Sequence, residues 1–471
     1  MAAEGAQARR PWWSNASTLL RRPRSKLTGK AGQPNWDVLV IGGGIAGLCA
    51  AIAARRRGVS VRLVESAPTA LRGGNARHAR NFRLAHDAPT RHSPGVYTSD
   101  EFLAELRKVS GEAGNGALAR SLIGESVDIA SWLMSCGVRL QDPAVGVIPY
   151  SRRTAFLLGG GKAMINALYQ TAENIGVVIS YDSEATTLCR ADKCAWEATI
   201  GGAERRETLT ARSLIAAAGG PGGDPDWLRA QFGPMADNFM IRGSSYSNGG
   251  LMQRLVDLGA EAVGHPTTCH MVAVDARGPK FDGGIVTRIT AIPLGLVVDR
   301  NGESLTLAND NAGPSHYAEW GPRIAGRPGG AAFLILESEQ LRRAKPAALA
   351  PVQAESCASL ARALGLDPVA LAAAIEAFNS NLRPGARPIK TPPFAAFPMR
   401  PGITFLHFGL AVDGQMRVAL SDGRVFDNLF AAGMIMAANI LPHGYIAGFG
   451  ITLSVLSGRR AGEAAARYVL G

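Results

Sequence analysis

An α/β fold, with a mostly parallel sheet, a small β-meander and an inserted α+β lobe, is predicted by three observations. Residues 36–65 read as strand, glycine turn, helix and strand. Short apolar runs alternate with Ala-rich helical stretches from there to Gly220, and the pattern returns after Phe430. From about Phe239 the texture changes: Gly, Pro and His become frequent and strong helices fewer. These shifts divide the chain into a basic extension (1–35), an α/β part (36–237 and 385–471) that the motifs below make the cofactor domain, and an inserted lobe (238–384) of the kind that caps a site. At 471 residues the chain is long enough for that division.

The elements follow in order. Asp37-Val38-Leu39-Val40-Ile41 has the unbroken apolar character of a parallel strand buried on both faces. Gly42 to Gly47 turns into a helix, Ile45 to Arg57, which Gly58 ends, and Val59 to Glu65 is the second strand. Helical periodicity predicts helices near Ser99–Ala113, Ala119–Cys136 and Lys162–Ile175. Strands are expected at Val177–Tyr181, Ala185–Arg190, Ala195–Ile200, Glu207–Thr210 and Leu214–Ala218. An apolar strand is expected at Ile289–Ile292, and helices at Ala348–Gly365 and Pro368–Asn379. Residues 383–388 read as a linker. Phe430 to Leu470 reads as a strand, a glycine-bearing loop and a long Ala-rich helix.

Composition excludes several classes. The 56 glycines lack a collagen period. The six cysteines (Cys49, Cys136, Cys189, Cys194, Cys269, Cys357) lack metal-ligand spacing, so no metal is expected, and reduced thiols in the cytoplasm fit them. No apolar run approaches the ~18 residues of a membrane span. Of the net charge of +12, half lies in residues 1–35, where seven Arg and Lys oppose Glu4 alone. That segment reads as a disordered basic arm in preference to a transit peptide. It would place the protein at the membrane surface if it docks on anionic lipid or a membrane partner. No nucleic-acid partner is expected.

Gly42-Gly43-Gly44-Ile45-Ala46-Gly47 fits G-x-G-x-x-G, follows a strand and opens a helix. Glu65 closes the next strand, with Ser66 beside it. In that context the motif predicts a dinucleotide site of Rossmann type. Gly42 permits the turn, Gly44 admits the pyrophosphate to the backbone, and Gly47 lets helix and strand pack. The helix N-terminus offers free N–H groups to the phosphates, and Glu65 would accept from ribose hydroxyls. Arg72-Gly73-Gly74-Asn75 favours FAD over NAD, because a Gly-Gly pair lets backbone pass close to a flat ring system.

Three stretches extend this reading: RGGNARHARN (72–81), HMVAVDARGPKFDGGIVTR (270–288) and NLFAAGMIMAANILPHGYIAGFGITLS (428–454). They resemble the FAD-dependent fumarate reductase/succinate dehydrogenase flavoprotein superfamily, and within it the tricarballylate dehydrogenase group. The resemblance implies a Rossmann-like FAD domain interrupted by a mobile cap. It adds Ala185, Ala218, Gly219, Gly433, Met434, Gly450, Ile451 and Thr452 to the expected FAD contacts, Met434 standing where relatives carry glutamate. It places Arg72–His78, His265-Pro266-Thr267 and the C-terminal loop against the isoalloxazine. The helix opening near Gly450–Thr452 would aim its N-terminus at the flavin.

Desaturating a CH–CH bond beside a carboxylate needs a cationic clamp, a base for the α-proton and the flavin N5 placed to take the β-hydride. The candidate catalytic residues are Tyr445, His265, Arg288 and His316. His265 is the one the family sets over the flavin, and His316 stands where relatives place an arginine. A charge at Arg288, beside an apolar strand, is costly unless it is paired or at a site, and a substrate clamp is the favoured reading. Tyr445 stands where relatives carry arginine or tyrosine. Candidate substrate contacts are His270, Arg277, Lys280, Thr287 and His407. His270 reads equally well as a hydrogen-bonded core histidine, and Arg277 and Lys280 as a solvated loop face.

The expected reaction is desaturation, or its reverse, in a small polycarboxylate, of the tricarballylate-to-aconitate type. The alternatives are a desaturase or reductase of a different acid or ketone, as in the ketosteroid dehydrogenases, and a flavin-binding partner subunit altered in catalysis. The electron acceptor is expected on a quinone or on a separate membrane iron–sulfur/cytochrome protein.

Overall fold

A computed structural model of the chain describes residues 34–111, 114–142, 152–191, 195–202, 206–305, 316–382 and 385–471. The basic extension, apart from Pro34 and Asn35, lies outside the described residues, as do Cys194 and residues 383–384 of the expected linker.

Residues 35–471 form one compact unit. Its main sheet runs in the order Arg417–Ala419, Val425–Ala431, Arg206–Ala216, Trp36–Ile41, Val61–Val64, Val178–Ser180. The last five strands pair in parallel. Register sets Val40 opposite Leu63 on one side and Ile215 on the other, with Phe430 beyond Ile215. The apolar run Val38–Val40 is wholly buried there, as a strand covered on both faces must be. The helix Ile45–Arg56 covers one face and packs on the C-terminal helix Phe449–Leu470. Small residues allow this close crossing: a Cβ on Gly458 or Gly462 would overlap the carbonyl oxygens of Ala46 and Ala50.

The expected strands 207–210 and 214–218 are one strand, Arg206–Ala216. Its first half closes the meander against Trp196–Gly201, and its second half enters the parallel sheet. The expected helix 119–136 is broken into Gly116–Glu125 and Ile129–Ser135. At the break the Ser126 hydroxyl donates to Ile123 O at 2.6 Å and accepts from Ala85 N, local bonds that compete with the helix ladder. The expected helix 348–365 shrinks to Cys357–Leu364 behind a strand Val352–Ala354, because Ser356 caps it by accepting from Ser359 N at 3.1 Å. No strand forms at 289–292. Arg288 makes an isolated bridge to Val274, and Ile292–Leu294 is a 3₁₀ turn around Pro293, which has no N–H for a ladder.

A second, six-stranded sheet carries the other wall of the site. Its long strand Phe394–Leu410 pairs with Met240–Ile241, Ala262–Asp275, Ala332–Leu336 and Val352–Ala354, and Leu296–Asp299 lies at the edge. This sheet takes strands from both sides of residue 384, so the chain between 394 and 410 crosses back into the wall formed by the inserted segment.

Candidate active site

One cavity runs between the two sheets, from the Gly42–Ala46 turn to the loop that carries Tyr445. At its first end, Gly42 has φ +110°, and a Cβ there would meet Ala217 O at 2.5 Å. Gly44 precedes the helix, and a Cβ on it would find nothing nearer than Gly73 O at 3.9 Å. The helix N-terminus therefore faces open space without an acidic residue in its first turn. Glu65 and Ser66 share this wall. The Glu65 carboxyl is buried, and desolvation raises it, opposed by N–H groups of Ala67 at 2.9 Å and Gly73 at 3.5 Å. Ile45, Ala46, Gly73, Gly74, Asn75, Ala218 and Gly219 complete it, and Met434, Gly450 and Ile451 line the cavity farther on.

Five expected FAD contacts are not on the wall. A Cβ on Gly47 would overlap Gly42 O, and Gly433 packs on Ala46 and donates to the Ser457 hydroxyl, so both shape the wall from behind. Thr452 ties its hydroxyl to the Arg83 backbone. Ala185 is buried in the meander. Arg72 lies over the Tyr169 ring at 4.2 Å and bonds Tyr181 Oη at 2.8 Å. Asn75 reaches the cavity, yet both ends of its amide are engaged: Nδ2 donates to Thr404 O at 3.0 Å and Oδ1 accepts from Ser244 N at 2.8 Å. It joins the turn Gly74–His78 to the second sheet.

At the far end the cavity gathers His270, Arg288 and Tyr445 from the expected set, with Arg242, Tyr317, Thr404 and Phe405 added. Four of them form a ring cluster. His270 stacks on Phe405 at 5.4 Å and meets Tyr445 at 4.7 Å and Tyr317 at 5.9 Å. Arg288 covers the Tyr317 ring at 4.7 Å, and its buried Nε has no hydrogen-bond partner among the described residues. Arg242 is buried, with Nε on Gly284 O at 3.0 Å and Nη1 on Thr404 Oγ1 at 2.6 Å. That leaves its Nη2 without a protein acceptor among the described residues. Neither arginine has a carboxylate partner there.

Burial governs the protonation of this end. It pushes Arg242 down to about 10, with the neighbouring Arg288 adding to the fall, and it lowers Arg288 as well. It drives His270 well below the usual histidine range, helped by Arg242, so the imidazole is neutral. It lifts the Tyr445 phenol to about 12, against the N–H of Gly450, which donates to Tyr445 Oη at 3.2 Å. The result is two desolvated arginines without counter-ions among the described residues, with the exposed Arg80 on the same wall, beside neutral donors, an arrangement that selects an anion.

The remaining expected residues stand elsewhere. His265 is exposed, with Nδ1 2.9 Å from Thr267 Oγ1, because an irregularity between Gly264 and Cys269 takes it out of the strand ladder. Arg277 pairs with Asp275 two residues earlier, at 2.6 Å, and bonds Ala350 O. Lys280 donates to the carbonyls of Asp237 and Phe239. Thr287 is buried beneath Gly278 and Gly283. His407 is a core histidine, its Nδ1 2.8 Å from Leu441 O and burial pushing it down to about 4. His316 begins a 3₁₀ turn, and its side chain lies outside the described residues.

Arg242, Tyr317 and Thr404 were not legible as site residues. The one local signal was an arginine followed by Gly243-Ser244-Ser245, small residues that let a loop approach a ligand.

The first end fits a dinucleotide: an uncapped helix N-terminus, open space where a Cβ on Gly44 would stand, and a desolvated carboxylate one strand away. Residues 37–453 match the FAD binding domain family. The chain belongs to that family, and FAD is its cofactor. It is 24% identical over 94% of its length to the NADH:fumarate oxidoreductase of Klebsiella pneumoniae (strain 342), and spans 48% of that protein. Among solved structures it resembles the open conformation of a flavocytochrome c3 fumarate reductase, with a TM-score of 0.76 at 21% identity, over 93% of this chain and 79% of that one. It also resembles a 3-ketosteroid Δ4-(5α)-dehydrogenase from Rhodococcus jostii RHA1, with a TM-score of 0.72 at 21% identity, over 95% and 100% of the two chains. These likenesses bear on the fold. Among the described residues no helix is long and apolar enough to cross a membrane.

Proposed function

We propose that this chain desaturates, or in the reverse direction reduces, the C–C bond beside the carboxylates of a small polycarboxylate, of the tricarballylate-to-aconitate type. The observation that carries this is the pair Arg242 and Arg288, two cations on one cavity wall with no carboxylate partner among the described residues. A buried cation without a counter-ion is costly, and a substrate carboxylate supplies the missing charge. FAD, when bound, supplies the two-electron redox chemistry.

The chain's own residues do the rest. Arg242 and Arg288 hold the carboxylates and stabilise the enolate-like charge that develops when the α-proton leaves. Tyr445 is the candidate acid–base group, its hydroxyl held by the Gly450 N–H at the N-terminus of a 22-residue helix. In the reducing direction the neutral phenol donates a proton without prior activation. His270, neutral and packed among three rings, fixes the substrate plane. The electrons pass to a separate acceptor, a quinone or an iron–sulfur/cytochrome protein.

A second reading is favoured by the ring cluster. Tyr445 and Tyr317 beside Phe405 and Leu406 would also suit a ketone or less charged acid, as the ketosteroid dehydrogenase name suggests for its own protein. Anaerobic mixing of the FAD-loaded protein with tricarballylate, succinate, citrate and a 3-ketosteroid separates the readings at 450 nm. Bleaching by tricarballylate supports the first and bleaching by the steroid the second. Flavin that no acid or ketone bleaches, and whose reduced form no unsaturated acid reoxidises, overturns both and leaves a flavin-binding partner subunit.

A further inference from the structure

Asp282 does not line the cavity but bonds to residues on both sides of it, and it takes no part in the chemistry above. Its backbone is left-handed, with φ +60°, a conformation that aspartate and asparagine adopt more readily than other non-glycine residues. Its Oδ1 accepts from Arg77 Nη2 at 2.6 Å and lies 2.9 Å from His78 Nε2. Both partners belong to the flavin-side turn Gly74–His78, where buried Arg77 also donates to Leu71 O at 2.7 Å. On its other side, Asp282 N donates to Gly243 O and Gly284 N to Arg242 O, each at 2.9 Å. The Arg242 guanidinium closes back on Gly284 O at 3.0 Å, and the same segment leads through Ile285 to Arg288.

We propose that Asp282 is a positioning residue, an ionic latch that fastens the arginine-bearing segment 282–288 to the turn Gly74–His78 and sets where Arg242 and Arg288 meet the substrate. The inference rests on the reading of this end as an anion site. Two desolvated cations on one wall repel, and Arg288 contributes to the fall of Arg242. An attachment that neutralised either cation would hold the segment and ruin the site. Asp282 avoids this because Arg77 takes its charge on the flavin side. The approach is close: a Cβ on Gly284 would lie 2.7 Å from His78 Nδ1. A shift of the segment would therefore carry both arginines with it.

The test uses the full chain loaded with FAD and the variants Asp282→Asn and Asp282→Gly. Asparagine and glycine both accept a left-handed backbone, so losses report on the carboxylate and not on strain. Malonate, which has no CH–CH bond to oxidise, is titrated against the flavin absorbance near 450 nm. Both variants are expected to keep their FAD, to raise the malonate Kd and the KM of the bleaching acid roughly tenfold or more, and to change kcat much less. A merely structural role would lower stability and FAD content without that split. Should the Asp282 variants not fold, Arg77→Gln carries the same expectation from the other side of the latch. Malonate Kd and KM within about twofold of wild type in the folded variants overturn the latch alone. Wild-type protein that binds no malonate and is bleached by no acid overturns the anion reading and the latch with it.

Discussion

Arg242→Met separates function from stability. Burial pushes Arg242 roughly two to three pH units below the usual arginine value, to about 10, which corresponds to about 3 to 4 kcal/mol against the charged form. The sign follows from proton linkage. Below pH ~10 folded and unfolded chains both hold the proton, so the whole penalty is present at neutral pH and the substitution removes it. Against this stand its two hydrogen bonds, to Gly284 O and Thr404 Oγ1, whose loss costs about 1.5 to 3 kcal/mol each for a charged donor. The two nearly cancel, so Tm should stay within about 5 °C of wild type. Substrate has no such compensation. Loss of one desolvated guanidinium–carboxylate contact is worth about 2 to 4 kcal/mol, or roughly 30- to 1000-fold in kcat/KM. Differential scanning calorimetry and the rate of anaerobic bleaching read the two quantities on one preparation. A Tm lowered by more than about 10 °C with kcat/KM retained would make Arg242 a structural residue and refute the reasoning.

Three further outcomes are expected. Gly44→Ala should leave the apo-protein's Tm unchanged, since its nearest neighbour would be 3.9 Å away, yet lower FAD occupancy; Gly47→Ala, whose Cβ overlaps Gly42 O, should lower Tm by several degrees (about 1 to 3 kcal/mol of overpacking). Tyr445→Phe should cut kcat by roughly 10²- to 10⁴-fold, and with the phenol held at about 12 the wild-type kcat–pH profile in the reducing direction should show no step from it between pH 7 and 10; kcat within threefold removes Tyr445 from proton transfer. His407 is neutral in the fold and held down to about 4, so the protein should lose up to about 3 kcal/mol as pH falls from ~6.5 towards 4. His407→Asn should flatten that slope in urea titrations with kcat within threefold, and an unchanged slope would exclude His407 as its source.

The sequence by itself determined the parts of this protein whose chemistry is local. The turn Gly42–Gly47, the carboxylate at Glu65, the Gly73-Gly74 pair and the loop before the C-terminal helix are each legible within a few residues. There a glycine admits a ligand or a helix end points at one, and the cavity wall collects all four. Tertiary structure decided which of the clustered cations and histidines belong to the substrate end. His265 and His270 sit five residues apart on one strand, and an irregularity in its pairing with Phe394–Leu410 turns the first outward and the second onto the wall. Arg277 is taken by Asp275 and Lys280 by two backbone carbonyls, partners that charge density along the chain could not exclude. Arg242, Tyr317 and Thr404 come from three separated segments: Met240–Ile241 pairs with the long strand Phe394–Leu410 and so sets Arg242 beside Thr404, and the turn His316–Ala318, packed on Ala262–Asp275, brings Tyr317 to the same cavity. Periodicity reports which residues tend to be buried, but the facing partner is set by register between distant strands, and that packing placed together two arginines that have no carboxylate partner among the described residues.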